Sequence, residues 1–205
     1  MPGLFITLEG GDGSGKSTQS ALLTEWLESM GRTVVVTREP GGTELGLELR
    51  EIVLHRRGDM DPRAEALIYA ADRAHHVAAV VRPALERGDI VVQDRYIDSS
   101  VAYQGAGRTL EGIRELSLWA TESLLPDLTV LLDLHEDEGQ DRLSVRTRYD
   151  RLEAEKSDFH ARVRAEYLAI AEAEPDRFLV LDARESRESI AAAIRHRVDA
   201  LVTPA

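Results

Sequence analysis

The stretch with the clearest chemical content is Gly10-Gly11-Asp12-Gly13-Ser14-Gly15-Lys16-Ser17, followed by Thr18. It satisfies G-x-x-x-x-G-K-[ST], a pattern that cradles phosphate when it links a strand to a helix. Glycines let the backbone turn tightly enough to aim its N–H groups at phosphate oxygens, and a helix beginning near Gly15 adds a favourable dipole. The spacing puts Lys16 against the β- and γ-phosphates of a triphosphate and the Ser17 hydroxyl on Mg²⁺, so Gly10 through Thr18 form the candidate ATP site. A glycine-rich turn that matches by chance is the plain alternative. The apolar run Leu4 to Leu8 before the motif and the helical period from Lys16 after it argue against that.

A metal-bound triphosphate also needs a carboxylate at the end of a neighbouring strand. Ile90-Val91-Val92-Gln93-Asp94-Arg95 supplies Asp94, at the edge where doubly wound sheets bind ligands. An ordinary ion pair between Asp94 and Arg95 is the alternative there. Arginine suits bidentate phosphate binding, which makes Arg38, Arg50 and Arg95 candidates for holding a second phosphate in line with the first. Tyr69 and Arg73 are four residues apart on a helical stretch and share a face.

These residues need a scaffold. Short β-branched or apolar runs alternate with longer segments of helical period, the pattern of a parallel sheet covered by crossover helices. Strands are expected at Leu4 to Leu8, Thr33 to Thr37, Ile90 to Gln93, Leu128 to Asp133 and Phe178 to Leu181. Helices are expected at Lys16 to Ser29, Leu45 to Leu54, Ala64 to Glu86, Leu110 to Leu124, Asp158 to Glu174 and Ser186 to Leu201, with Pro83 kinking or shortening the third. The predicted fold class is α/β, a P-loop NTPase-type kinase with a five-stranded parallel sheet and helices on both faces. The chain of 205 residues reads as one domain, 1–205, with a polar, charge-dense surface segment around 135–156 expected to act as a mobile lid.

Composition narrows the field further. A formal net charge of -12 disfavours a broad electrostatic grip on nucleic acid, so no nucleic-acid partner is expected. The absence of cysteine removes disulfides, thiolate zinc sites and cysteine nucleophiles, and suits a reducing cytoplasm. No secretion signal is visible at the amino terminus, and no apolar run approaches a membrane span of roughly 18 residues. His75 and His76 are adjacent and point to different faces, while His55, His135, His160 and His196 lack ligand spacing, so the histidines are assigned no metal and no catalytic role.

Several motifs in order give the chain a resemblance to the thymidylate kinase family along nearly its whole length. They are Arg38-Glu39-Pro40-Gly41-Gly42-Thr43, Ala70-Ala71-Asp72-Arg73, Asp94-Arg95-Tyr96-Ile97-Asp98-Ser99-Ser100, Ala102-Tyr103-Gln104-Gly105, Pro126-Asp127-Leu128-Thr129 and Asp150-Arg151-Leu152-Glu153. The resemblance implies transfer of the γ-phosphoryl of ATP to dTMP, giving dTDP, with Mg²⁺ and without a covalent intermediate. It implies that Asp12 addresses the deoxyribose 3'-hydroxyl and that Glu39 lies at the acceptor site. It implies that Tyr69 stacks on thymine, Arg73 donates to O4, Ser100 and Gln104 lie near the base edge, and Tyr103 crowds a ribose 2'-hydroxyl.

One branch of the family carries a catalytic arginine in the P-loop, where this chain has Gly13 and Ser14. The compensating arginine is then expected from the lid, among Arg142, Arg146, Arg148 and Arg151. Arg148 is favoured, then Arg146, with Arg151 expected to pair with Asp150 or Glu153; Lys16 and Arg95 complete the catalytic set. Relatives form homodimers through packed helices, and the run Ala70, Ala71, Ala74, Ala78 offers close approach for one here. The alternatives are a kinase for another nucleoside monophosphate or deoxynucleoside, and a non-catalytic nucleotide switch; no [NT]-K-x-D stretch is present to read guanine.

Overall fold

Strand β1, Leu4–Glu9, shows why the sheet must be covered on both sides: Ile6 and Leu8 point to one face, Phe5, Thr7 and Glu9 to the other, and all five are buried. The computed structural model describes residues 3–55, 59–135, 151–152, 155 and 157–202. The other strands are β2 (Val34–Arg38), β3 (Ile90–Asp94), β4 (Leu128–Asp133) and β5 (Phe178–Asp182). They form one parallel sheet in the order β2-β3-β1-β4-β5. Helix α1 (Lys16–Ser29) and helix α8 (Arg187–Val202) cover one face, where Leu23, Leu27, Ile190, Ile194 and Val198 meet Ile6, Leu8, Val92 and Val130. Ile190, Ile194 and Val198 recur every four residues, the helical period that makes a single apolar stripe.

The opposite face is covered by α3 (Pro62–His76) with its continuation, and by α7 (Ser157–Ala173), whose Phe159, Val163, Tyr167 and Ile170 form the inward stripe. Helix α2 (Glu44–His55) packs on α3. Asp61 caps α3 by accepting from the Arg63 and Ala64 N–H groups, and Pro62 occupies the first turn, where its missing N–H is not needed.

Sheet register sets the site. Leu8 pairs with Asp94 and Arg38 pairs with Asp94, so the carboxyl ends of β2, β3 and β1 lie level. The chain leaving β1 into the glycine-rich loop therefore runs beside the chain leaving β3 at Arg95, whose N–H donates to Leu8 O at 3.0 Å.

All five expected strands form, and the long third helix runs as expected to Glu86. Pro83 does not end it. A π-helical turn, Val77–Val81, precedes the short helix α4 (Arg82–Glu86), with the Arg82 N–H reaching back to Val77 O; the widened turn absorbs the proline. The fourth expected helix, Leu110 to Leu124, is shorter than expected, Ile113–Ala120 (α6). A helical segment not anticipated, α5 (Ile97–Ser100) continuing into a π-helical stretch Val101–Gly107, follows β3. Its glycines and polar residues disguise the helical period.

Within the proposed small-residue stripe, Ala71 and Ala78 are exposed and Ala74 is half-buried, but Ala70 is buried in the core and cannot serve a surface contact. His75 is exposed and His76 buried, as adjacent helix positions require.

Candidate active site

The glycine-rich loop closes over the end of β1 in a shape few residues allow. Gly10 has φ 129°, and a Cβ there would lie 2.4 Å from the Leu132 carbonyl oxygen. Gly15, with φ 99°, is the N-cap of α1 and contributes no side chain, so the first N–H groups of that helix are left for an anion. Lys16 Nζ donates to Gly10 O at 3.1 Å and Gly11 O at 2.9 Å. Burial, reinforced by the Arg95 charge, lowers the Lys16 pKa. Triphosphate oxygens would replace the loop carbonyls as its partners and restore a counter-charge. Ser14 Oγ is buried without a hydrogen-bond partner among the described residues.

Asp94 has the same incompleteness. Its Oδ1 is buried with no hydrogen-bond partner among the described residues, and the ion pair with Arg95 considered from sequence does not form: Arg95 Nη2 donates to Asp12 at 2.7 Å instead. Asp94 and the exposed Ser17 line one cavity. Among the described residues no three or more His, Cys, Asp or Glu side chains cluster as a metal cage. One carboxylate and one hydroxyl beside a phosphate cradle nevertheless fit Mg²⁺, which keeps several waters and takes phosphate oxygens as ligands.

That cavity, about 770 Å³, runs from Asp12, Gly13, Gly15, Lys16, Ser17 and Thr18 to a second group of side chains. Arg38, Glu39, Arg50, Tyr69, Arg73, Arg95, Ser100, Tyr103 and Gln104 all line it. Gly10, Gly11 and Ser14 do not line it. Arg38 is exposed at the end of β2 and has no ion pair among the described residues. Arg50 Nη1 donates to Pro40 O at 2.9 Å, across the turn that contains the cis Glu39–Pro40 peptide.

Arg95 is held in the left-handed region at φ 68°, a conformation that a non-glycine residue adopts only when its surroundings impose it. Its Nη1 donates to Ser99 Oγ at 3.2 Å, and its Nη2 donates to Asp12 and to Tyr103 Oη at 3.3 Å. Burial would raise Asp12, but Arg95 and Lys16 outweigh it and bring the carboxyl down to about 2.

Arg73 is 2% exposed and almost fully engaged. Its Nε donates to Glu39 at 2.7 Å, Nη1 to Ser117 Oγ at 3.2 Å, and Nη2 to Tyr96 O at 3.1 Å and Ser100 Oγ at 3.0 Å. Among the described residues, a single Nη1–H is left for a ligand. Glu39 is itself buried between Arg73 and His76 Nδ1, the latter at 2.9 Å, so it orients Arg73. Tyr103 is buried, with its ring 5.0 Å from the Arg95 guanidinium and edge-on to Phe159 and Tyr167.

Of the four lid arginines, Arg142, Arg146 and Arg148 lie outside the described residues. Arg151 bonds Glu65 on α3, and its Nε donates to Val53 O at 3.1 Å, while its expected partners Asp150 and Glu153 lie outside the described residues.

Three contributors escaped the sequence reading. Glu9 is fully buried and accepts from the Tyr96 N–H at 2.7 Å, Ser99 Oγ at 2.6 Å and Tyr167 Oη at 2.9 Å. Burial, with the nearby Asp98, pushes its carboxyl up to about 7. Ser99 and Tyr167 in turn touch Arg95, so this network underlies the strained arginine. An acid ending an apolar strand, the signal that found Asp94, was present for Glu9 as well. Tyr167 had no local signal, because only the tertiary fold brings α7 over the end of β1.

The family model described as thymidylate kinase matches residues 8–194. A thymidylate kinase from Leifsonia xyli subsp. xyli is 74% identical over 98% of this chain and 97% of its own length, and one from Bifidobacterium longum is 53% identical over 98% and 100%. This chain belongs to the thymidylate kinase family. A crystal structure of thymidylate kinase from Ehrlichia chaffeensis superposes with a TM-score of 0.78 at 32% identity, covering 98% of this chain and 99% of that one. Membership makes the chain a phosphotransferase of the nucleoside monophosphate kinase type, on the P-loop kinase fold built above.

Proposed function

We propose that this chain phosphorylates dTMP to dTDP with ATP as donor, by direct in-line transfer, in the supply of dTTP. The observation that carries the reading is a single cavity with a phosphate cradle at one end and arginines, two buried tyrosines and a base-edge amide at the other. The P-loop N–H groups and Lys16 would hold the donor phosphates and neutralise charge that builds on the γ-phosphoryl. Ser17 and Asp94 would hold Mg²⁺, which would supply positive charge to offset that of the donor phosphates. Arg38, Arg50 and Arg95 would orient the acceptor phosphate, itself an anion at neutral pH, so no general base is required. Tyr69 would stack on thymine, the remaining Arg73 Nη1–H would serve O4, and Tyr103 would exclude a 2'-hydroxyl.

Acceptor-dependent ADP release tests this. Release that requires dTMP and falls at least about 10²-fold in Lys16→Ala, by analogy with loss of one transition-state donor, is the expected result. Acceptor-independent hydrolysis would instead support a nucleotide switch, and a preference for another acceptor would support a different monophosphate kinase.

The same reading extends to assembly. Leu67 is 57% exposed and lies on one helical face with Ala71, Ala74 and Ala78, a surface suited to a symmetric helix contact in a homodimer. Sedimentation at micromolar concentration should give twice the chain mass, and a monomer would refute the dimer alone. No described helix is long and apolar enough to cross a membrane, and the acidic composition fits small-molecule substrates in the cytoplasm better than nucleic acid.

A further inference from the structure

Glu65 lies one helical turn before Tyr69 on α3 and is completely buried, yet it does not line the substrate cavity. It accepts from Gln104 Nε2 at 2.8 Å through Oε1. Its Oε2 accepts from Arg108 Nη2 at 3.3 Å and from Arg151 Nη2. Arg108 is fixed from the other side by Glu155 at 2.6 Å. Two guanidinium groups thus pin one carboxylate behind one amide.

We infer that Glu65 is a positioning residue that sets the orientation of the Gln104 amide, and through it the base preference of the acceptor site. An ionised carboxylate only accepts hydrogen bonds, so the Gln104 amide must turn its NH₂ toward Glu65. Its Oε1 then remains as the group for a ligand; no described residue donates to it, and Gln104 lines the cavity. A carbonyl oxygen at the base edge favours a base that presents an N–H, as thymine and uracil do at N3. Cytosine presents a lone pair at N3 and meets that oxygen with repulsion. A freely turning amide would serve either base, and the pinned one serves only the first.

The inference rests on the reading that the base lies against Gln104. The test is kcat/KM for dTMP and dCMP in wild type, Glu65→Gln, Glu65→Asp, Gln104→Ala and the Glu65→Gln/Gln104→Ala double variant, each checked for a cooperative thermal transition. Glu65→Gln is isosteric but lets both amides turn as a pair. It should lower the dTMP/dCMP ratio about 10-fold, the worth of one correctly oriented hydrogen bond, mainly through KM for dTMP. Glu65→Asp, which keeps the acceptor, should retain most of the ratio even if Glu65→Gln folds poorly.

In the Gln104→Ala background, Glu65→Gln should change the ratio no further, because the two residues act as one unit. A ratio within about 2-fold of wild type in Glu65→Gln, or an equal drop with and without Gln104, overturns the inference while the dTMP assignment stands. A wild-type enzyme without preference for dTMP overturns both.

Discussion

Among single residues, those tied to phosphate were the most legible. Lys16, Ser17 and Asp94 follow from a local motif and a strand end, and all three line the cavity. Residues that act through others were less so: Glu39 was placed in the site from resemblance, but its burial between Arg73 and His76 makes it a holder of the arginine. Glu9 was missed, and its buried carboxyl yields a pH prediction. Its pKa stands at about 7, against an ordinary value of 4.5, so between those values the native state keeps a proton that the unfolded chain loses. Stability contributed by this group therefore falls as pH rises through that window. Glu9→Gln removes the titration while leaving an oxygen for the Tyr96 N–H. The variant should melt close to wild type at pH 5 and progressively above it toward pH 8. Thermal midpoints measured across that range check this, and a difference that does not change with pH would contradict it.

At the level of elements, alternation of apolar runs with helical periods was enough to find all five strands, because a parallel sheet buried on both faces leaves a strong signal. What the periods could not show was the irregular stretch after β3. There α5 passes into the π-helical turns of Val101–Gly107, and Tyr103 and Gln104 sit on those turns. Widened turns of this kind recur at functional sites because they re-aim side chains. The glycine-rich loop is the other irregular element, and its shape is tested at Gly10. Gly10→Ala demands a left-handed backbone with a side chain, and the new Cβ would sit 2.4 Å from Leu132 O, an immovable sheet carbonyl. Such strain is worth about 1–3 kcal/mol for the backbone alone. The variant should lose thermal stability by several degrees and lose ATP affinity together; unchanged affinity and midpoint would mean that the loop is not held as described.

For the molecule as a whole, the sheet order places β1 and β3 side by side at its centre, with their carboxyl ends level. Donor and acceptor groups therefore converge from β1, β2, β3, α2, α3 and the segment after β3 on one edge. Sequence motifs named most of these groups, but their convergence depends on register, which no local pattern carries. On the proposed function, this edge is built to choose thymidylate. The direct test is kcat/KM for dTMP, dUMP, dCMP and UMP with one enzyme preparation. The site should rank dTMP first and dUMP second, since loss of one methyl costs only about 1–3 kcal/mol, whereas a base with the wrong hydrogen-bond pattern leaves buried groups unpaired. UMP should fall behind dUMP if Tyr103 excludes a 2'-hydroxyl as proposed. If dCMP or UMP matched or exceeded dTMP, the acceptor assignment would be contradicted even with the phosphate cradle intact.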